Sequence, residues 1–363
     1  MKKTIAFVLP SLNAGGAQRV VTTLANLLVK EYHVCIIVLY NCESFYKLHP
    51  DVTIEYCQKN YNSNPTLLQS LTNNFKLINN LIRILKKNKT DIVIGFMPIT
   101  NVYAIVASKI LGIPNIISER ANPEFSTINK VWSRIRKIAY PFSNCLVVQT
   151  KANKRYFKSF IKSEIEILKN PINQNLLEKR DETIPKENII LNVGRLAEPK
   201  NQDLLIHAFS NINHENWKLV FVGDGNNYSK LKELITSLRM DDHIILTGNS
   251  SEVSTHYNKA KIFAFTSKYE GFPNVIIESM AYGLACISTD CPYGPSEIIE
   301  NNKNGLLIPV GNQKELEKGL TKLMHDATLQ EKFGKNAMQT TEAYHPTKIV
   351  LEWTTLINKL ILK

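Results

Sequence analysis

Short apolar runs alternate with helically spaced ones along almost the whole chain. Ile5–Leu9, Val34–Leu39, Ile92–Phe96, Ile116–Ser118 and Leu146–Gln149 are β-branched or apolar runs. Between several of them lie the helical patterns Arg19–Lys30, Asn73–Lys87 and Val102–Leu111. The rhythm restarts at Ile189–Val193, Leu219–Val222, Ile244–Thr247, Ile262–Phe265 and Ala285–Ser288. Strands that are apolar on both faces and separated by helices predict parallel sheets covered on both sides. A polar break from Asn170-Pro171 to Pro185-Lys186 separates the two series. The expectation is an α/β chain of two Rossmann-like, doubly wound domains, 1–170 and 171–345, facing a cleft, with ligands at the carboxyl ends of the strands.

The strand ending at Phe265 runs into Thr266–Gly283 (TSKYEGFPNVIIESMAYG), where the period changes from 2 to 3.6. Pro273 suits a first helical position, where its missing N–H costs nothing. The backbone N–H groups of Phe272, Asn274 and Val275 are then expected to converge, free, on a positive helix end that suits an anion. Glu270 and Glu278 bracket that end with seven residues between them. Two readings stand: acids that accept hydrogen bonds from a polyol, or a helix whose first acid complements its dipole and whose second is exposed.

With 363 residues, 44% hydrophobic and 21% charged, the composition is that of an ordinary globular protein with core enough for two domains. The apolar start, Ile5–Leu9, is short for a signal peptide and is cut by Pro10, so a buried first strand in a cytoplasmic protein is expected. Six cysteines without C-x-x-C or metal-type histidine spacing read as reduced thiols.

Charge changes the picture more. Residues 1–170 hold 23 Lys and Arg against nine Asp and Glu, a surplus of 14, while the remainder is slightly acidic. The basic partner surface therefore belongs to the first half, and a general nucleic-acid binder is disfavoured by the second. Asn74–Lys89, Val131–Tyr140 and Lys151–Lys162 mix Trp132, Tyr156, Phe157 and Phe160 with Lys86, Lys87, Arg134, Arg136 and other cations. Such helices suit an anionic membrane surface, or equally a solvated face whose apolar residues pack on the sheet.

Other loops carry chemistry. Asn13–Arg19 follows the first strand with Gly15 and Gly16 at a helix start, without dinucleotide spacing. Arg195 and Lys200 place a rigid fork and a point charge in one loop after a strand. Gly223 lies in the turn Val222–Gly225. Arg120 follows the strand at Ile116–Ser118, and is either an exposed residue without a role or a contact for phosphate or acceptor.

Together these stretches resemble retaining GT-B glycosyltransferases of family 4, over nearly the whole chain. The E, seven residues, E signature matches Glu270 and Glu278; GR-L-x-x-x-K matches Arg195 and Lys200; GGA(E/Q)R matches Gly15–Arg19; and V-G-x-G matches Val222–Gly225. The resemblance implies that Glu270 holds donor-sugar hydroxyls and Glu278 the ribose, while Arg195 and Lys200 neutralise the leaving diphosphate. It implies that Gly15, Gly16, Gly223, Gly271, Phe272, Pro273, Asn274 and Val275 approach the donor, and that 346–363 is a helix returning to the first domain. Many members have a histidine where this chain has Arg120, so the histidine's role is in doubt here. The implied reaction moves a hexose or N-acetylhexosamine, from a UDP-sugar, to a polyprenyl-diphosphate-linked glycan in surface polysaccharide or N-glycan assembly. The enzyme would work peripherally on the inner face of the cytoplasmic membrane, without cofactor, and without metal since no D-x-D occurs. A GT-B-shaped sugar-nucleotide epimerase is the alternative.

Overall fold

The computed structural model describes residues 2–13, 15–59, 66–120, 122–125, 128–214 and 216–362. The chain divides into two compact units, one formed by residues 1–171 with 346–363, the other by 172–345.

In the first unit, β1 (Thr4–Leu9), β2 (His33–Tyr40), β3 (Thr53–Gln58), β4 (Ile92–Phe96), β5 (Asn115–Ser118), β6 (Cys145–Val148) and β7 (Glu164–Ile167) form one sheet. Its order is β3-β2-β1-β4-β5-β6-β7, and every pairing is parallel. Side chains of β1 alternate between two cores, which is why the strand is apolar throughout. Ile5, Phe7 and Leu9 meet Val20, Val21 and Leu24 of helix Gly16–Leu28, and Trp353 and Ile357 of helix Pro346–Ile361. Ala6 and Val8 face Leu77, Leu81 and Leu85 of helix Leu67–Lys87, and Tyr103 and Ala107 of helix Pro98–Leu111. The C-terminal helix is thus part of the first unit's core, and Tyr32 ties it down by donating to Asn358 at 2.7 Å.

The second unit repeats the plan with β8 (Glu187–Val193), β9 (Lys218–Val222), β10 (Ile244–Leu246), β11 (Ala260–Phe265), β12 (Ala285–Thr289) and β13 (Gly305–Ile308). The order is β10-β9-β8-β11-β12-β13, again all parallel. Helices Gln202–Ser210 and Gln313–His325 cover one face, and helix Asn274–Ala281 contributes Ile276, Ile277 and Met280 to the other. Both sheets reverse their order beside the first strand, between β1 and β4 and between β8 and β11. In open α/β sheets that reversal, at the carboxyl ends, is where ligands bind.

Two expectations need correction. Arg136 is not a surface cation: it is 2% exposed, with Nη1 3.7 Å from Glu119. The aromatic residues assigned to a membrane face also turn inward. Phe157 is buried, Trp132 packs edge-on against Tyr103 at 5.8 Å, and Tyr156 and Phe160 lie against the same core. The large apolar side chains left exposed are others, among them Leu68, Leu71, Phe75, Val131, Ile138 and Phe142.

Candidate active site

The reversal point of the second sheet gathers most of the residues picked out in the sequence. β8 leads into the loop carrying Arg195 and Lys200, and β11 into the loop carrying Glu270. Hydrogen bonds knit the two loops: the Lys268 N–H donates to the Pro199 carbonyl at 2.8 Å, and the Thr266 hydroxyl to the Lys200 carbonyl at 3.1 Å. Lys200 Nζ consequently lies 2.5 Å from Glu270 Oε1 and 5.7 Å from the centre of the Phe265 ring. The Ser267 hydroxyl donates to the same Glu270 oxygen at 2.8 Å. The sequence reading gave Lys200 and Glu270 to different parts of a ligand; here they neutralise one another. Arg195 is exposed beside them, its carbonyl fixed by the Gln202 amide at 2.9 Å.

Gly223 sits where the next loop presses on the first. Gly194 N–H donates to Val222 O at 2.9 Å and Gly223 N–H to Gly248 O at 2.9 Å. At Gly223, φ is +143° and an added Cβ would lie 2.1 Å from the Gly194 carbonyl oxygen. Only glycine fits such an approach.

The helix start differs from the expectation. Pro273 precedes the helix rather than opening it: its φ of −85° and ψ of 77° form an inverse γ-turn in which Asn274 N–H donates to Phe272 O at 3.1 Å. The Asn274 N–H is therefore engaged locally, and the anion site is narrower than three convergent free groups. Gly271, Phe272 and Val275 remain partly exposed around it, and Phe272 rests on Tyr344 with ring centres 6.2 Å apart. Glu278 is 2% exposed and accepts from the Tyr257 hydroxyl at 3.3 Å. It is not the exposed acid of the alternative reading.

The first unit's reversal point is built differently. Gly15 caps the start of helix Gly16–Leu28 with an extended backbone and no side-chain cap. Tyr46, which sequence reasoning passed over, clamps it: its hydroxyl lies 3.3 Å from both the Gly15 N–H and the Gly15 carbonyl. Ala14 and Ala121, members of the two motifs here, lie outside the described residues. Met97, at the end of β4, holds φ at +76°, a strained conformation for a side chain of this size. Its N–H donates to the Ser118 carbonyl at 3.1 Å, joining it to β5.

Beyond β5, consecutive side chains go to opposite faces. Glu119 is fully buried with Tyr140, which donates to its carboxylate and accepts from Asn101 at 2.9 Å. Burial pushes Glu119 up to about 7, against the opposing pull of Arg136 and of the Tyr140 hydroxyl. On the other face the Arg120 guanidinium lies 4.7 Å above the centre of Phe96 and 5.9 Å from that of Trp353, and Nη1 donates to Asn170. Burial pulls Arg120 down to about 9. Lys200 and Glu270 meet across 70 positions; Arg120, Phe96, Asn170 and Trp353 meet only through the fold, and no local pattern announces them.

Two doubly wound parallel sheets, with cations and a carboxylate at the carboxyl edge of one, define a GT-B glycosyltransferase fold. Solved structures agree: sucrose-phosphate synthase from Thermosynechococcus elongatus superposes with a TM-score of 0.84 at 17% identity, over 99% of this chain and 100% of that one. HepE from Anabaena in complex with UDP gives 0.82 at 18% identity, with the same coverage. Residues 14–176 match Glycosyltransferase Family 4, and residues 174–340 match Glycosyl transferases group 1. A GalNAc-alpha-(1->4)-GalNAc-alpha-(1->3)-diNAcBac-PP-undecaprenol alpha-1,4-N-acetyl-D-galactosaminyltransferase of Campylobacter jejuni is 33% identical over 97% of this chain and 98% of its own. The chain belongs to glycosyltransferase family 4 and is a glycosyltransferase. Nothing among these relatives supports the epimerase alternative.

Proposed function

We propose that the enzyme transfers a hexose or N-acetylhexosamine from a UDP-sugar to a polyprenyl-diphosphate-linked glycan, with retention at the anomeric carbon. The observation that carries the reading is the Lys200–Glu270 pair at the carboxyl edge of the second sheet, with Arg195 exposed in the same loop as Lys200. The Campylobacter relative's activity on an undecaprenol-diphosphate glycan supports the acceptor class.

The charges suggest how the reaction is driven. Breaking the sugar–phosphate bond loads negative charge on the leaving diphosphate. Lys200 and Arg195 are fixed cations for it, and the Val275 N–H adds a dipole. As the diphosphate draws Lys200 away, Glu270 is released to accept hydrogen bonds from the donor-sugar hydroxyls. Glu278 is assigned the ribose hydroxyls, in competition with the Tyr257 hydroxyl it now accepts from. Gly223 lets backbone come close beside the nucleotide. These groups serve without a metal, the leaving phosphate taking the acceptor's proton as the new bond forms on the same face. Arg120 is assigned to the acceptor or sugar side, on the first unit with Gly15 and Gly16.

The acceptor is met at the inner face of the cytoplasmic membrane. Among the described residues no helix is long and apolar enough to cross a membrane. Helix Leu67–Lys87 exposes Leu68, Leu71 and Phe75 at helical spacing, with Lys76 and Lys86 also exposed. Helix Lys130–Ala139 exposes Val131 and Ile138 with Arg134 and Lys137. Apolar side chains flanked by cations suit an anionic bilayer, each basic residue contributing about 1 kcal/mol near its surface.

The test pairs a panel of UDP-sugars with a polyprenyl-diphosphate glycan in anionic vesicles, with and without EDTA. Product with the donor's anomeric configuration, unaffected by EDTA, is expected. Donor epimerised or hydrolysed with no product, or activity restored only by added magnesium, overturns the respective part. Sedimentation should show salt-sensitive binding to anionic vesicles, weakened by reversing Lys76, Lys86, Arg134 and Lys137 to Glu; equal partitioning to neutral vesicles overturns the membrane surface.

A further inference from the structure

The first unit treats two of its arginines, the buried Arg136 and the partly exposed Arg120, differently. Arg136 has a carboxylate, Glu119, at 3.7 Å. Among the described residues Arg120 has none acting on it: burial alone shifts its ionisation. Among the described residues only Nη1 has a partner, the Asn170 carboxamide. Nε and Nη2 are enclosed and, among the described residues, without a hydrogen-bond partner.

Those two are not an arbitrary pair. In a planar guanidinium the Nε–H and one N–H of Nη2 point in parallel, forming the edge that grips two oxygens of one anion. The third nitrogen is tied to Asn170, which fixes the rotation of the plane. Below it, Phe96 and Trp353 are nearly parallel, 20° apart with centres 6.0 Å apart, and they attract the cation without using its N–H groups. A carboxylate in their place would have occupied the fork. The Trp353 indole N–H is a further enclosed donor with no partner among the described residues. Enclosed donors left unmet are costly, and a charged group more so. The site lies just beyond the carboxyl ends of β4 and β5, the ligand edge of the first sheet, beside the strained Met97.

We infer that Arg120 is a receptor for a phosphate group, already oriented and gripping it through Nε and Nη2 when a local opening admits it, and that Phe96 and Trp353 are positioning residues that hold the guanidinium in place of a carboxylate. The inference deepens the proposed function and rests on it only for the source of the phosphate. Both the nucleotide donor and the lipid-linked acceptor carry a diphosphate, so the chemistry is shared and the source is for experiment to separate.

The side-chain Nε–H resonances of the full ¹⁵N-arginine-labelled chain give a readout independent of sugar transfer, with R120K identifying the Arg120 signal by its loss. Inorganic pyrophosphate should shift that signal saturably. Farnesyl diphosphate shifting it more strongly than UDP assigns the lipid side, and the reverse order assigns the nucleotide. Pyrophosphate affinity read at this signal should fall several-fold in W353F, while the remaining arginine signals and the circular dichroism stay as in wild type. In turnover, W353F should raise the KM of the substrate whose diphosphate moves the signal, with kcat nearly unchanged. Should W353F fail to fold, R120Q tests the receptor alone, with pyrophosphate affinity, measured for both chains by isothermal titration calorimetry, expected to drop about tenfold. An Arg120 signal unmoved by all three diphosphates at millimolar concentration would overturn the inference whether or not the chain transfers sugar. A signal that moves in a chain inactive towards polyprenyl-diphosphate glycans would overturn the proposed acceptor and leave the receptor standing.

Discussion

The two sheets share one winding order, yet their reversal points hold charge in opposite ways. In the second unit Lys200 and Glu270 are already in contact, with Ser267 and the ring of Phe265 around them. In the first, Arg120 is held by two aromatic rings and one carboxamide, with no carboxylate among the described residues. A pre-paired site must be opened by its ligand, because a substrate gains Lys200 only by displacing Glu270. An unpaired site has no carboxylate to displace, and its charge is held by the aromatic rings packed against it. Topology therefore sets where chemistry sits in this chain, and side chains set whether the site waits charged or neutralised.

The largest expected effect breaks the paired site. If Glu270 holds the donor sugar as proposed, E270Q should reduce transfer by more than about 10³-fold, the largest loss expected but still a measurable one, because an amide cannot neutralise Lys200. Thermal stability should barely change, since the pair is at a partly exposed edge rather than in the core. Near wild-type turnover with the proper donor would end the assignment. K200A is next, with turnover expected to fall on the order of 10² to 10³ if Lys200 meets the charge that develops on the leaving group. The double variant sharpens the comparison. Residues acting as a unit are non-additive, so E270Q/K200A should be little worse than E270Q alone. Strictly additive losses would show that the observed pair has no part in the mechanism.

A smaller effect concerns the scaffold of the same site. G223A puts a Cβ against the Gly194 carbonyl, at a φ that favours glycine. A destabilisation of about 2 to 3 kcal/mol is expected, which for a unit of this size lowers the melting temperature by about 5 to 10 °C. Differential scanning calorimetry checks it. An unchanged transition would mean that the two loops part readily and do not fix the position of Arg195.

How much of this was legible depended on where a residue's partners lie in the chain. The central strands were legible because both faces are buried, which leaves an uninterrupted apolar run such as Ile92–Phe96. The strands passed over, Thr53–Gln58, Glu164–Ile167 and Gly305–Ile308, are all at sheet edges. In the first two polar residues intervene, as in Glu164-Ile165-Glu166-Ile167, and an apolar-run criterion fails; Gly305–Ile308 is apolar but short, and follows the polar stretch Glu300–Asn304. Helix Leu67–Lys87 begins six residues before the pattern suggested, because a capping box of Thr66 and Gln69 starts it on a largely exposed turn. Arg195, Lys200, Gly223, Glu270 and Glu278 could be picked out as candidates because each lies just past a strand or about one turn into a helix, within a short spaced motif. Contact between Lys200 and Glu270 was not, since spacing says nothing of two loops 70 residues apart. Nor was the burial of Arg136: a basic helix looks solvated until the acid it turns towards is known, and Glu119 lies on another element.

That acid gives the smallest and most local prediction. Glu119 is fully buried and pushed up to about 7 by burial, with Arg136 and the Tyr140 hydroxyl opposing the shift. An unfolded glutamate titrates near 4.3. Between about pH 4.5 and 7 the folded chain therefore binds a proton that the unfolded chain has lost, so this group's contribution to stability falls as pH rises through the window and levels off above it. E119Q carries no titrating proton, keeps an acceptor for the Tyr140 hydroxyl, and gives up the attraction to Arg136. Its stability relative to wild type should rise between pH 5 and 8, whatever the offset between the two at pH 5. Denaturant melts of both chains at half-unit pH steps measure the difference. A relative stability that is flat or falls with pH would mean that Arg136 keeps Glu119 ionised throughout. The first unit would then hold a settled ion pair behind Arg120, and the contrast with the second would rest on Arg120 alone.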